Sequence, residues 1–196
     1  EALRRAIGSS GTLVMPTHST HLSEPSHWEN PPVPESWWPI IRESMPPYDP
    51  LTTPTRSMGA IPEFFRTQPD SLRGEHPHWS FTAAGPLAAE IVHPHALDSC
   101  LGEDSPLGRI YSEGGLVLLL GVDHDRNTSL HLAEQHASAE GSAPRRNGAP
   151  ISIGGQRRWA EFDEFDFPDT DFCELGEQIR ATTDIIRIGR VACARA

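Results

Sequence analysis

The sequence predicts an α/β domain, and three observations carry that reading. Short apolar runs at residues 12–15, 115–122 and 151–153 alternate with stretches whose apolar residues recur at helical spacing. Residues 115–122, GLVLLLGV, are apolar nearly throughout, as a strand buried on both faces should be. The 196 residues are 37% hydrophobic and 22% charged, enough for one domain with a real core.

The elements follow in order. Residues 1–7 read as a helix, turned at Gly8-Ser9-Ser10-Gly11 into a short strand over 12–15 that Pro16 stops. Residues 17–48 are irregular, with seven prolines and with Trp28, Trp37 and Trp38 between them. A loop of that length inside a domain is functional or disordered, and the tryptophans favour a packed lid. Gly59 precedes Ile61, Phe64 and Phe65, the pattern of a two-turn helix with Pro62 in its first turn. Residues 76–81, HPHWSF, lead into a strand, and residues 86–92 into a helix. After the 115–122 strand, Asn127 or Thr128 caps a helix running to about Ala137. A polar loop over 140–148 precedes a hairpin of 151–153 with 158–162, then an acidic loop and a helix over 172–183.

The net charge of -11 repels nucleic acid and anionic membrane and attracts cations. No stretch approaches the roughly 18 to 20 apolar residues of a membrane span. Cys100, Cys173 and Cys193 lack CxxC spacing and read as free thiols in a reducing, cytoplasmic compartment. No histidine pair has HExxH spacing, so no metal is expected.

The densest chemistry lies at the mouth of the 115–122 strand, where α/β folds place active sites. His124 follows the strand, with Asp123 or Asp125 placed to orient its ring as a general base. His131 and Glu134, three residues apart, share one helix face. Thr53-Pro54-Thr55-Arg56-Ser57-Met58-Gly59 suits a carbonyl or anion cradle, because Gly59 permits close backbone approach; Arg56 and Arg66 could meet phosphates. Glu161, Asp163, Glu164, Asp166, Asp169 and Asp171 alternate with phenylalanines that would hold them in fixed positions, a wall suited to a polycation.

GTLVMPTHS, MPPYDPLTTPTRSMGAIPEFFRT, HPHWSF, SPLGRIY and LLLGVDHDRNTSLHLAE occur in that order. Together they resemble the aminoglycoside 3-N-acetyltransferase family over nearly the whole chain. The resemblance implies a mixed central sheet flanked by helices, of the antibiotic N-acetyltransferase type and not the GNAT type. It implies acetyl transfer from acetyl-CoA to the 3-amino group of a 2-deoxystreptamine antibiotic, conferring resistance. His124 is then the base, with Asp123 and Glu134 as its carboxylates. Thr55, Arg56, Ser57, Met58, Gly59 and Ser80 fall on the coenzyme side. His76, Asp163, Glu164, Asp169 and Asp171 fall on the antibiotic side. The chain is expected to be one domain over 1–196, a monomer or homodimer, lacking the front and some of the back of the family pattern. A remnant that binds coenzyme A or aminoglycoside without turnover is the alternative.

Overall fold

The structure, a computed structural model, describes residues 2–137, 144–165, 171–188 and 191–195. After α1 (Ala2–Ile7), the strands β1 (Leu13–Pro16), β2 (Leu72–Arg73) and β3 (Phe81–Ala84) pair antiparallel in the order β1-β3-β2. Pro16 stays within β1, opposite Phe81, because β1 lies at the sheet edge, where a missing N–H breaks no ladder bond. β3, at the centre, is buried along its whole length.

β4 (Leu118–Leu120) is shorter than its apolar run suggests and is buried on one face only. Leu119 is buried, whereas Leu118 and Leu120 are nearly half exposed. The reason is its place at the edge of a second antiparallel sheet, in the order β4-β8-β7 with β7 (Asp184–Ile188) and β8 (Val191–Arg195). β5 (Arg145–Ile153) and β6 (Gln156–Glu164) form a nine-pair hairpin across Gly154-Gly155, both at positive φ. The hairpin absorbs the end of the expected polar loop, because Arg146 pairs across it with Glu161 and Asp163. The α/β class of the antibiotic N-acetyltransferase type stands; among the described residues its strands lie in three small antiparallel sheets.

α3 (Ala60–Arg66), α4 (Ala88–Val92) and α6 (Leu130–Ala137) lie where the pattern put them. α2 (Trp38–Ser44) and α5 (Pro106–Ser112) were hidden by prolines that sit in their first turns, where proline costs nothing. α7 (Phe172–Gln178) stops short of Thr183 and passes into a 3-10 turn.

The main core joins Phe81, Ala83, Ile91, Val92, Leu101, Leu107 and Leu132, with Trp79 packed against it. The proline-rich segment is a packed lid. Its Leu22, Met45 and Tyr48 form a second cluster against Trp28 and Trp159. The hairpin stitches that lid down: Tyr48 N–H donates to the Pro150 carbonyl at 2.8 Å, Arg157 Nε to the Met45 carbonyl at 3.0 Å, and Glu24 N–H to Asn147 Oδ1 at 3.0 Å. Cys100 and Cys173 are unpaired thiols, and burial pushes the Cys100 thiol up to about 12. Among the described residues no helix is long and apolar enough to cross a membrane.

Candidate active site

β4 hands the chain to a 3-10 turn, His124–Arg126. Asp123 starts the turn: its carboxylate accepts the backbone N–H of His124 at 2.8 Å. That carboxylate caps the turn, and among the described residues the His124 ring, which Asp123 or Asp125 was expected to orient, bonds Asn127 in their place. Asp125 faces Arg126 instead. The His124 ring is buried, and its Nδ1 accepts from Asn127 Nδ2 at 3.2 Å. Gly176 of α7 lies flat against it; a Cβ there would come within 2.6 Å of the His124 Cβ. His124 therefore seats α7.

In the first turn of α6, His131 Nδ1 lies 2.6 Å from Glu134 Oε2. His131 is 9% exposed, and its ring packs at 4.9 Å on Phe172, the first residue of α7. This is the histidine–carboxylate pair of the strand-mouth region. Its three-residue spacing was visible in the sequence; that it, and not His124, carries the ring-to-carboxylate bond was not.

The HPHW segment spends its polar groups inward. His76 Nδ1 accepts the N–H groups of His78 and Trp79, both at 3.1 Å, and its Nε2 donates to the Leu97 carbonyl at 3.0 Å. Burial holds its pKa well below the ordinary value. With both ring nitrogens committed, His76 pins this turn and has none left for the antibiotic, against expectation. His78 Nδ1 donates to Glu164 Oε1 at 2.9 Å. Glu164 also accepts from Trp79 Nε1 and Asn147 Nδ2. Burial pushes its pKa up, but these donors more than offset that and hold it below the usual carboxylate value. Glu164 is thus spent on three interior donors and does not face a substrate ammonium.

Ser80 is likewise internal: its hydroxyl donates to the Thr17 carbonyl at 2.8 Å and accepts from Arg73 Nε at 3.1 Å. It is fully buried. His18, two residues beyond β1, is buried with its ring edge-on to Trp79 at 5.0 Å and to Phe81 at 5.3 Å. Burial, with nearby His131, His95 and Arg73, brings its pKa down to about 3.

The His18 carbonyl accepts the N–H of Arg56 at 2.8 Å and so anchors the TPTRSMG loop. Thr55 N–H donates to Glu63 Oε2 at 2.8 Å. Arg66 is bound by Glu63 and the Leu51 carbonyl, which removes it as a phosphate ligand. Arg56, Ser57 and Gly59 are exposed and Met58 is half-buried. Ser57 and Gly59 have φ of 59° and 86°. No atom lies within 4 Å of where a Gly59 Cβ would sit, so this backbone borders open space.

Phe162 and Phe172 are fully buried and bracket the acidic segment. Asp163 is exposed beside Arg146, its backbone N–H held by Asp98 Oδ1 at 2.9 Å, and Asp171 is exposed at the start of α7. Asp169 lies outside the described residues. Among the described residues no group of three or more His, Cys, Asp and Glu is placed to hold a metal ion.

A family model described as aminoglycoside 3-N-acetyltransferase matches residues 1–196. The chain is 45% identical over 195 residues to the SPbeta prophage-derived aminoglycoside N(3')-acetyltransferase-like protein YokD of Bacillus subtilis (strain 168), covering 99% of this chain and 71% of that protein. It is 38% identical over 167 residues to aminoglycoside N(3)-acetyltransferase VIII of Streptomyces fradiae, covering 85% of this chain and 57% of that one. The chain thus spans little more than half of the second relative. Among solved structures, YokD from B. subtilis aligns with a TM-score of 0.88 at 44% identity, over 95% of this chain and 73% of that one. AAC-IIIb in binary complex with CoASH aligns at 0.85 and 30% identity, over 100% and 75%. AAC-VIa bound to sisomicin aligns at 0.83 and 29% identity, over 99% and 76%. Matched along its described length in sequence and in fold, this chain belongs to the aminoglycoside 3-N-acetyltransferase family.

Proposed function

We propose that this protein transfers the acetyl group of acetyl-CoA to the 3-amino group of a 2-deoxystreptamine aminoglycoside, in the cytoplasm, and so confers resistance. The observation that carries the reading is the His131–Glu134 pair, set on α6 beyond the end of β4 in a chain of this family. An aminoglycoside amine is mostly protonated near neutral pH and must lose a proton before it attacks a thioester. Glu134 holds His131 through Nδ1 and orients the ring as the general base for the amine's proton. The amine nitrogen then bonds to the thioester carbon, the carbon–sulfur bond breaks, and the second proton lost by the nitrogen passes to the departing sulfur, so that coenzyme A leaves as its thiol. Glu134 offsets the charge that develops on the imidazole. The sequence reading gave the base role to His124; its amide partner and its seat under α7 fit a positioning role better.

The exposed backbone of Ser57, Met58 and Gly59, with Thr55 and Arg56 beside it, supports an acetyl-CoA site at that loop. Backbone N–H groups there would stabilise the oxyanion of the tetrahedral intermediate. The neighbour solved with CoASH and the neighbour solved with sisomicin support the two ligand classes. Asp163 and Asp171, on a protein of net charge -11, supply the attraction for a polycation.

The deciding experiment follows thiol release from acetyl-CoA with and without aminoglycosides. Thiol should appear only with antibiotic, and the product should gain one acetyl group on the 3-amine. Binding of both ligands without thiol release would make this a non-catalytic member that retains its ligand sites.

A further inference from the structure

We infer that Phe172 is a positioning residue for His131: its ring, carried on α7, holds the imidazole in the orientation from which it takes the amine's proton. The inference rests on the activity proposed above and gives α7 a part in it. Glu134 alone holds the ring loosely. Its hydrogen bond restrains one atom, Nδ1, through a carboxylate on a flexible arm. The torsion that turns an imidazole about its Cβ–Cγ bond has broad minima, so a single such bond lets the ring swing. The second restraint comes from a different element. The Phe172 ring centroid lies 4.9 Å from that of His131, with the two planes tilted by 52°. That is within the separation and tilt that aromatic pairs prefer.

Phe172 can serve as a stop because it is itself fixed. Its side chain is 1% exposed, and one turn further along α7 comes Gly176. A Cβ at Gly176 would fall 2.6 to 2.7 Å from the Cβ, Cγ and Cδ2 of His124. Glycine is unfavourable inside a helix; here its bare backbone lets α7 settle against the 3-10 turn that follows β4. Contacts one turn apart thus seat α7 on both histidines of the strand mouth, Phe172 on His131 and Gly176 on His124. At so little exposure Phe172 presents no surface to either ligand, so its loss should act on the reaction through His131. A base that is misaimed costs turnover and leaves ligand affinity in place.

A double-mutant cycle on thiol-release kinetics tests this. Phe172→Leu should lower kcat about tenfold, with KM for acetyl-CoA and for the aminoglycoside within about twofold of wild type. Phe172→Met, whose flexible chain fills an irregular gap and also lacks a ring, should show the same loss and carries the cycle if the leucine variant does not fold. In the His131→Gln background either replacement should lower the residual rate by less than about twofold, because no base is left to aim. A merely structural role would give losses that multiply. If the tenfold loss recurs without His131, or if kcat in the single variants stays at the wild-type value, the positioning role is overturned and the proposed activity stands. If wild type binds both ligands and releases no thiol, the activity falls and the role with it.

Discussion

Two histidines follow β4, and their partners differ in kind. His124 meets an amide, whereas His131 meets a carboxylate that can hold its tautomer and offset its charge. His131→Gln should lower kcat by roughly two to four orders of magnitude, with acetyl-CoA affinity nearly unchanged. His124→Gln should cost less than about tenfold. Thiol-release kinetics on both variants check this, and a larger loss at His124 would return the base role to it. Gly59 stands at φ of 86° beside open space. Gly59→Val should strain that backbone and block approach, raising KM for acetyl-CoA several-fold while antibiotic binding holds; unchanged coenzyme affinity would move the cradle elsewhere. At this scale the sequence showed which residue types gather but not which are spent. Glu164 lies 86 residues from His78, and Ser80 lies 63 from Thr17, so nothing local revealed that their polar atoms were already taken.

Elements were legible wherever periodicity and flanking residues agreed, as in α3, α4 and α6. They were missed where proline reads as loop but opens a helix, as in α2 and α5. β4 was overread because apolar content reports burial, not which neighbouring strand supplies it. The acidic segment is the element-scale prediction. Phe162 and Phe172 pin its ends, and Asp163 and Asp171 face outward. Exposed charge pairs contribute only about 0 to 1 kcal/mol each, yet two acting on one polycation should add. Asp163→Asn combined with Asp171→Asn should raise the aminoglycoside KM about tenfold and leave that for acetyl-CoA alone. Equal antibiotic KM in the double variant and wild type would remove these aspartates from recognition.

For the molecule as a whole, buried neutral histidines set the response to acid. Burial holds His18 at about 3 and His95 at about 4, and holds His76 well below its ordinary value of 6.5. Above about pH 6.5 both folded and unfolded chains leave these rings neutral, and stability is whole. As pH falls toward 4 the unfolded chain binds protons that the folded chain refuses. Each such histidine then removes about 1.4 kcal/mol per pH unit. Glu63, held at about 2, and Glu164 add their losses only below about pH 4.5. The melting temperature should therefore drop clearly between pH 7.5 and 5, and His18→Phe should flatten the slope; a flat wild-type profile would contradict the burial argument. The stitched lid has its own consequence. Because Tyr48, Met45 and Glu24 are fastened to β5 and β6 and not merely to each other, the lid cannot open while the hairpin stays closed. The two should exchange their amide protons with solvent as one cooperative unit, so that Tyr48 and the hairpin ladder show equal protection despite the hundred residues between them.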